Sequence, residues 1–164
     1  MDIKVIALRD LAHRVEDAHV LWERDGAVRD ATAATTAVWP APDGQWIEDR
    51  FWVWVHYGAT KIGRGELFEC LELLTLLRSA ALGPLIAREH AQRPQGVRRI
   101  ERYAPELVDA LAAAVRDHSR AGCTAALRTA ADLYRELRAR AADAGLKPRA
   151  DAERAALAFL DALG

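Results

Sequence analysis

Apolar side chains recur at helical spacing through most of the chain after residue 44. Rows of leucine and alanine return every three or four residues, as on the buried face of an amphipathic helix. The spacing predicts helices over residues 45–61, 66–90, 105–118, 121–144 and 151–163. The second of these is apolar on most sides, so we expect it to be the central, most buried helix.

The first 44 residues follow a different pattern. Residues 3–8 alternate and are rich in β-branched side chains, which predicts a short strand, and residues 9–15 predict a brief helix. Residues 20–22 predict a second strand closed by a turn at Asp25-Gly26, giving a small hairpin. Pro40 and Pro42 exclude regular helix just ahead of residue 45.

The predicted fold class is therefore mainly α, of the α+β type: a short N-terminal β-strand or hairpin segment followed by a four- to five-helix bundle. The predicted boundary separates residues 1–44 from a helical domain over residues 45–164. Composition supports this division, because 34 residues are Ala and 20 of the 23 basic residues are Arg, both strong helix formers.

Charge and cysteine content narrow the classes of partner. The formal net charge is −1 and the sequence pI is near 6.5, so neither nucleic acid nor a membrane is expected as a partner. The N-terminus lacks the apolar core of a signal peptide, and we expect a cytoplasmic location. Cys70 and Cys123 have no CxxC spacing and are expected to be buried, reduced thiols.

One stretch of the first long helix combines residue types that carry chemistry. Glu48, Trp52 and His56 stand four residues apart and share a stripe, with Asp49 beside them. A carboxylate, an aromatic ring and an imidazole on one face could bind a small molecule. In the alternative interpretation, Trp52 packs on a neighbouring helix while Glu48, Asp49 and Arg50 form a solvated cluster of ion pairs.

The basic residues that follow this stretch allow two interpretations. Lys61 and Arg64, next to Gly63 and Gly65, could hold phosphate groups, or they could be the charged last turn that a helix dipole favours. Arg78 lies in a leucine-rich run, where burial would require a carboxylate partner such as Glu69 or Glu72. We expect Arg78 to have a structural role.

Six segments carry a further signal: residues 2–8 (DIKVIAL), 15–17 (VED), 20–26 (VLWERDG), 49–54 (DRFWVW), 61–69 (KIGRGELFE) and 77–78 (LR). Together they resemble the C-terminal portion of bacterial nucleotidyltransferases of the DNA polymerase β-type superfamily, which includes aminoglycoside and lincosamide adenylyltransferases. In that superfamily an early Gly-Ser and an Asp-x-Asp pair bind magnesium and the nucleoside triphosphate, and a later strand brings a third carboxylate. Asp2, directly ahead of the predicted strand, resembles the third carboxylate.

The resemblance assigns roles to residues of this chain. It implies that Asp2 is a catalytic residue and metal ligand, that the acceptor substrate is bound by Glu48, Asp49, Trp52 and His56, and that nucleotide phosphates are bound by Lys61 and Arg64. It also implies that residues 1–44 are the end of a catalytic α/β domain and that residues 45–164 are the helical substrate-binding domain.

The Gly-Ser and Asp-x-Asp motifs of the superfamily are missing from this sequence. Two-metal phosphoryl transfer needs clustered carboxylates, so Mg²⁺ and ATP or another NTP are expected only where a partner or a missing N-terminal segment completes the site. We expect the chain to be inactive in nucleotidyl transfer on its own.

Two functions follow as hypotheses. In the first, the chain is the helical part of a nucleotidyl (AMP) transfer system and binds a small hydroxylated or cationic acceptor. In the second, it is a non-catalytic helical module that self-associates through its N-terminal strand or docks to a separate minimal nucleotidyltransferase, because an unpaired strand edge tends to pair with another chain.

Overall fold

The computed structural model describes residues 3–141 and 145–163. The chain divides into two compact units, Met1–Ala41 and Pro42–Gly164, which we call the N-terminal unit and the helical unit. This division falls three residues before the boundary predicted from the sequence. The helices of the described residues are α1 (Ala27–Ala33), α2 (Gly44–Arg64), α3 (Leu67–Leu76), α4 (Gly83–Glu89), α5 (Ile100–Tyr103), α6 (Val108–Ala113), α7 (Arg120–Ala141) and α8 (Ala150–Asp161).

Helix α2 is the frame of the helical unit. The Asp43 carboxylate accepts a hydrogen bond from the Trp46 amide at 2.9 Å and caps its first turn. Gly65 ends the helix at a φ of 75°, where a side chain would be strained. Between these ends α2 packs against α3, α7 and α8, and Phe51, Val55 and Ile62 on its inner face are fully buried.

The helical run Leu67–Glu89 crosses the centre of the unit, as predicted. It consists of α3, a π-helical turn at Leu77–Leu82, and α4. The run is long and apolar enough to cross a membrane by length and composition, but 61% of its most apolar window is buried inside the protein. A core helix passes the same test, so the feature is weak evidence for a membrane span.

Helix α7 packs on α3 and on the π-helical turn, and its buried residues include both small side chains and leucines. Cys123 of α7 and Cys70 of α3 are both free and fully buried, which confirms the prediction of buried thiols. Burial, together with the neighbouring Cys123, raises the pKa of Cys70 to about 12. The thiolate is therefore scarce at neutral pH.

The predicted N-terminal strand and hairpin are wrong, because the described residues contain no β-strand. Residues 3–7 and 20–22 lie outside regular secondary structure. Asp25 and Gly26 do adopt positive φ values of 54° and 74°, but the turn begins helix α1 instead of a second strand. The Glu23 carboxylate accepts from the amides of Val28 and Arg29 at 2.9 and 3.0 Å and caps that helix.

The physical reason is the absence of a partner for such short strands in the described residues. A two-stranded ribbon is marginal in water without a third strand or a helix to cover it. A helix satisfies its backbone hydrogen bonds locally, and α1 lies in a stretch of the chain that is rich in alanine.

The helix predicted over residues 105–118 is shorter and broken. A 3-10 turn at Pro105–Leu107 leads into α6, which ends at Ala113, and α5 was not predicted at all. The other predicted long helices match α2, the run Leu67–Glu89, α7 and α8 within a few residues, and the brief helix predicted over residues 9–15 is a 3-10 helix at Leu8–His13. Residues 142–144, the predicted end of the fourth long helix, lie outside the described residues.

We predict that Gly83→Ala destabilises the protein by about 2 kcal/mol, because a Cβ at Gly83 would collide with the backbone carbonyl of Gly96 and stand 2.9 Å from the Arg78 carbonyl oxygen. The matched control is Gly63→Ala within α2, whose Cβ would meet only the Leu163 side chain at 3.4 Å. That change should be neutral or stabilising by up to about 1 kcal/mol. Urea unfolding of both variants measures the difference, and equal stabilities would contradict the close approach.

Candidate functional site

The residues predicted to share a stripe on α2 lie in different environments. Glu48 and Trp52 are buried, with exposures of 0% and 1%, whereas His56 is exposed and lies against the Phe159 ring with centroids 4.9 Å apart. Each four-residue step along an α-helix advances by about 40°, so the ends of the stripe differ by about 80°. A ligand on the surface of α2 could contact His56 and Asp49 but not Glu48 or Trp52.

Glu48 is the centre of a buried hydrogen-bond network. The Tyr134 hydroxyl donates to its Oε2 at 2.5 Å, and the Trp52 indole donates to its Oε1 at 3.3 Å. The Arg138 guanidinium donates to both carboxylate oxygens at 3.0 and 3.2 Å, and the Arg149 backbone amide donates to Oε1 at 2.7 Å. The carboxylate therefore joins α2 to α7 and to the segment that precedes α8.

A second layer of polar contacts surrounds this network. Arg138 also donates to Glu153 of α8 at 2.8 Å, and Arg135 pairs with the same carboxylate at 3.0 Å. On the surface, Asp49 accepts from the Arg149 side chain at 2.8 Å and from Gln45 at 2.7 Å. The charges predicted for a substrate site are thus engaged by other residues of the chain.

The environment shifts the pKa values of Glu48 and Tyr134 in opposite directions. Burial acts to raise the pKa of Glu48, but the hydrogen bonds from Tyr134, the Arg149 amide and Arg138 outweigh it and hold the pKa below its ordinary value. Burial and the hydrogen bond to Glu48 raise the pKa of Tyr134. Glu48 is therefore a carboxylate at neutral pH, and Tyr134 remains a protonated donor.

The predicted phosphate contacts lie at the end of α2. The Lys61 ammonium is 2.5 Å from Glu66 and 3.2 Å from Glu69, and these hydrogen bonds raise the pKa of Lys61. Two carboxylates within this distance already balance its charge. Arg64 is exposed in the last turn, where the carbonyl end of the helix dipole favours cations and disfavours anions.

Besides Asp49, Arg50 and His56, the outward side of α2 carries aromatic and apolar residues that the sequence pattern did not single out. We call it the open face of α2 and define it by residues at successive helical spacings that are solvent-exposed: Trp46, Asp49, Arg50, Val53, His56 and Tyr57. Trp46, Val53 and Tyr57 are 41%, 61% and 44% exposed. The Arg50 guanidinium lies over the Trp46 ring, 4.3 Å from its centroid.

A signal for this face is present in the sequence. Residues 46–57 contain more aromatic side chains than one buried stripe can accept, so some of them must face solvent. Exposed aromatic rings beside a carboxylate, a guanidinium and an imidazole can stack on a flat or ring-shaped ligand and hydrogen-bond its polar edge.

The predicted metal ligand and catalytic residue, Asp2, lies outside the described residues. Within residues 3–141 and 145–163, no group of three or more His, Cys, Asp or Glu side chains could hold a metal ion. Glu48 and Asp49 are engaged by Arg138 and Arg149, so these two carboxylates do not fit a magnesium–nucleotide complex as they stand.

Comparison with known proteins finds no relative of the chain: no family model, no curated protein and no solved structure matches it.

We predict that Glu48→Gln lowers the free energy of unfolding at pH 7 by about 3 kcal/mol, because it removes the charge that the buried end of Arg138 requires. The control is Asp49→Asn on the same helix, where the pair with Arg149 is solvent-exposed and should contribute less than about 1 kcal/mol.

The same variants test how the free energy of unfolding depends on pH. Since the folded-state pKa of Glu48 lies below the ordinary value of 4.5, its contribution is complete above that value and is lost as the pH falls through the folded-state pKa. Stability measured by urea unfolding from pH 7 to pH 3 should therefore converge between wild type and Glu48→Gln at acidic pH. A constant difference over this range would contradict the assignment.

Proposed function

We propose that this chain is a helical binding module that supplies the acceptor-binding surface of a nucleotidyl-transfer system and depends on a separate chain for catalysis. The observation that carries the proposal is the open face of α2. Three of its residues, Asp49, Arg50 and Val53, lie in the segment 49–54 that resembles the nucleotidyltransferases, and all six of its residues are solvent-exposed.

The chemistry of this face suits a small, ring-containing acceptor with amine or hydroxyl groups. Trp46 is 41% exposed and packs against the Arg50 guanidinium and, in a T-shaped contact, against Trp54, so a ligand ring would stack on the surface that remains. Tyr57, which is 44% exposed, adds a second aromatic ring on the same face. Asp49 retains part of its surface beside Arg149 and can accept a hydrogen bond from an amine or a hydroxyl. In this proposal Trp46 replaces Trp52, which the resemblance had placed in the acceptor site and which is buried.

We predict that an aminoglycoside or a lincosamide, tested as kanamycin and lincomycin, binds the purified chain, and that Trp46→Ala weakens binding about five- to tenfold. Loss of one aromatic contact accounts for about 1 kcal/mol. Isothermal titration calorimetry measures the affinity. Trp22→Ala is the matched control, because Trp22 is an exposed tryptophan of the N-terminal unit and should leave binding unchanged.

Three results would contradict the proposal. The first is equal weakening by Trp46→Ala and Trp22→Ala, and the second is no binding of either acceptor. The third is AMP transfer from ATP and Mg²⁺ by the chain alone, with turnover abolished by Asp2→Ala, which would show that no separate catalytic chain is needed.

A second function, self-association through the N-terminal unit, is favoured by a specific observation. The described part of this unit contributes no side chain to the buried apolar core, while Val5, Leu21 and Trp22 are 95%, 89% and 75% exposed. Apolar side chains gain free energy when a contact with another chain removes them from water. The predicted strand is absent, so the contact would rest on these side chains and not on an existing sheet edge.

We predict that the wild-type chain forms a dimer at micromolar concentrations and that Val5→Asp combined with Leu21→Asp makes it monomeric, because each charge would be buried in the contact. Size-exclusion chromatography with light scattering measures the mass. The control is Phe68→Asp, which places the same charge on an exposed apolar residue of the helical unit, at 72% exposure. A wild-type monomer at every concentration, or dissociation by Phe68→Asp alone, would exclude this contact.

A further inference from the structure

A cleft in the helical unit lies between the π-helical turn, α5 and α6. Its volume is about 220 Å³, and its walls are largely apolar, with Val97, Val108 and Leu111 among them. Arg78 and Glu101 are the charged residues of its lining. None of the lining residues belongs to α2, so this cleft is separate from the open face of α2.

Arg78 has an unusual environment for a cation. Its guanidinium donates to the Ala114 carbonyl at 2.9 Å and to the Thr75 hydroxyl at 3.0 Å, and both acceptors are neutral. Among the described residues no carboxylate forms an ion pair with it, so the expected partners Glu69 and Glu72 are not used. Partial burial without a counter-charge lowers the pKa of Arg78.

The guanidinium is also held in place. A guanidinium carries five N–H groups, and the two contacts above fix its plane while leaving other donors for a ligand. The π-helical turn that begins at Leu77 presents it beside the apolar walls, and such turns are frequent at functional sites. An apolar cavity with one oriented polar group is the usual form of a small-molecule site.

We propose that this cleft binds a small organic carboxylate whose apolar body is an aromatic ring or a short alkyl chain. The carboxylate pairs with Arg78, and the apolar body fills the space beside Val108 and Leu111. Glu101 repels the same carboxylate from the exposed side and thereby orients it toward Arg78. The proposal is independent of nucleotidyl transfer.

Arg78 also has a structural contact, since its bond to the Ala114 carbonyl lies at the end of α6. A purely structural role predicts that substitutions at Arg78 change stability but not ligand preference. A binding role predicts opposite effects of removing the two charges of the cleft, and only a negatively charged ligand gives that pattern. Opposite changes in the affinity for an acid, on removing the charge of Arg78 and on removing that of Glu101, therefore distinguish the binding role from the structural one.

The test is an NMR titration of the full chain with benzoate and hexanoate, following the amides of Val97, Val108 and Val115. Both acids should give saturable shifts at these amides, with benzyl alcohol, hexanol and hexylamine binding at least about tenfold more weakly. Arg78→Gln should weaken benzoate binding about tenfold or more, and Glu101→Gln should strengthen it about two- to fivefold. Arg102→Gln, on α5 but outside the cleft lining, should change nothing.

A further variant guards against loss of structure at Arg78. Ala112→Trp fills the cleft from an exposed position while leaving Arg78 in place, and it should abolish the shifts. The proposal is overturned if no saturable shift occurs, if neutral analogues bind as well as the acids, or if either Arg78→Gln or Ala112→Trp binds benzoate as the wild type does.

Discussion

The helical unit depends on one buried carboxylate. Glu48 has no exposed surface, and an ionised group in that position is tolerated only because donors from α2, α7 and the segment before α8 surround it. The last helix is thereby fixed to the first long helix of the unit through polar contacts, in addition to the apolar packing between them. Such a network constrains geometry more than an apolar contact does, because each donor must keep its direction.

This constraint also decides where binding chemistry can occur. A carboxylate that accepts from Tyr134, Arg138 and a backbone amide has little capacity left for a substrate, and Trp52 is enclosed with it. The accessible groups of α2 are on the opposite side, around Trp46 and Val53. One helix thus divides its aromatic and charged residues between holding the bundle together and facing solvent.

The sequence predicted the long helices well because their apolar spacing, the Asp-Gly ahead of α2 and the Gly65 stop are local features. It predicted the N-terminal strand wrongly because strand formation depends on a partner that local pattern cannot supply. For the candidate site, spacing placed Glu48 and Trp52 near each other. It did not show that both face inward while His56 faces solvent, because four-residue steps drift around the helix. Arg138 and Arg149, which neutralise the two acidic residues, are about 90 and 100 residues distant and gave no signal in the sequence pattern.

The enclosed pair Cys70 and Cys123 makes the contact between α3 and α7 chemically observable. Neither sulfur meets solvent, and the high pKa of Cys70 keeps it in the unreactive protonated form. An alkylating reagent can reach these buried thiols only when the structure around them opens, so the rate of alkylation reports how often that opening occurs. The two native cysteines therefore allow local opening of the core to be measured without an added label.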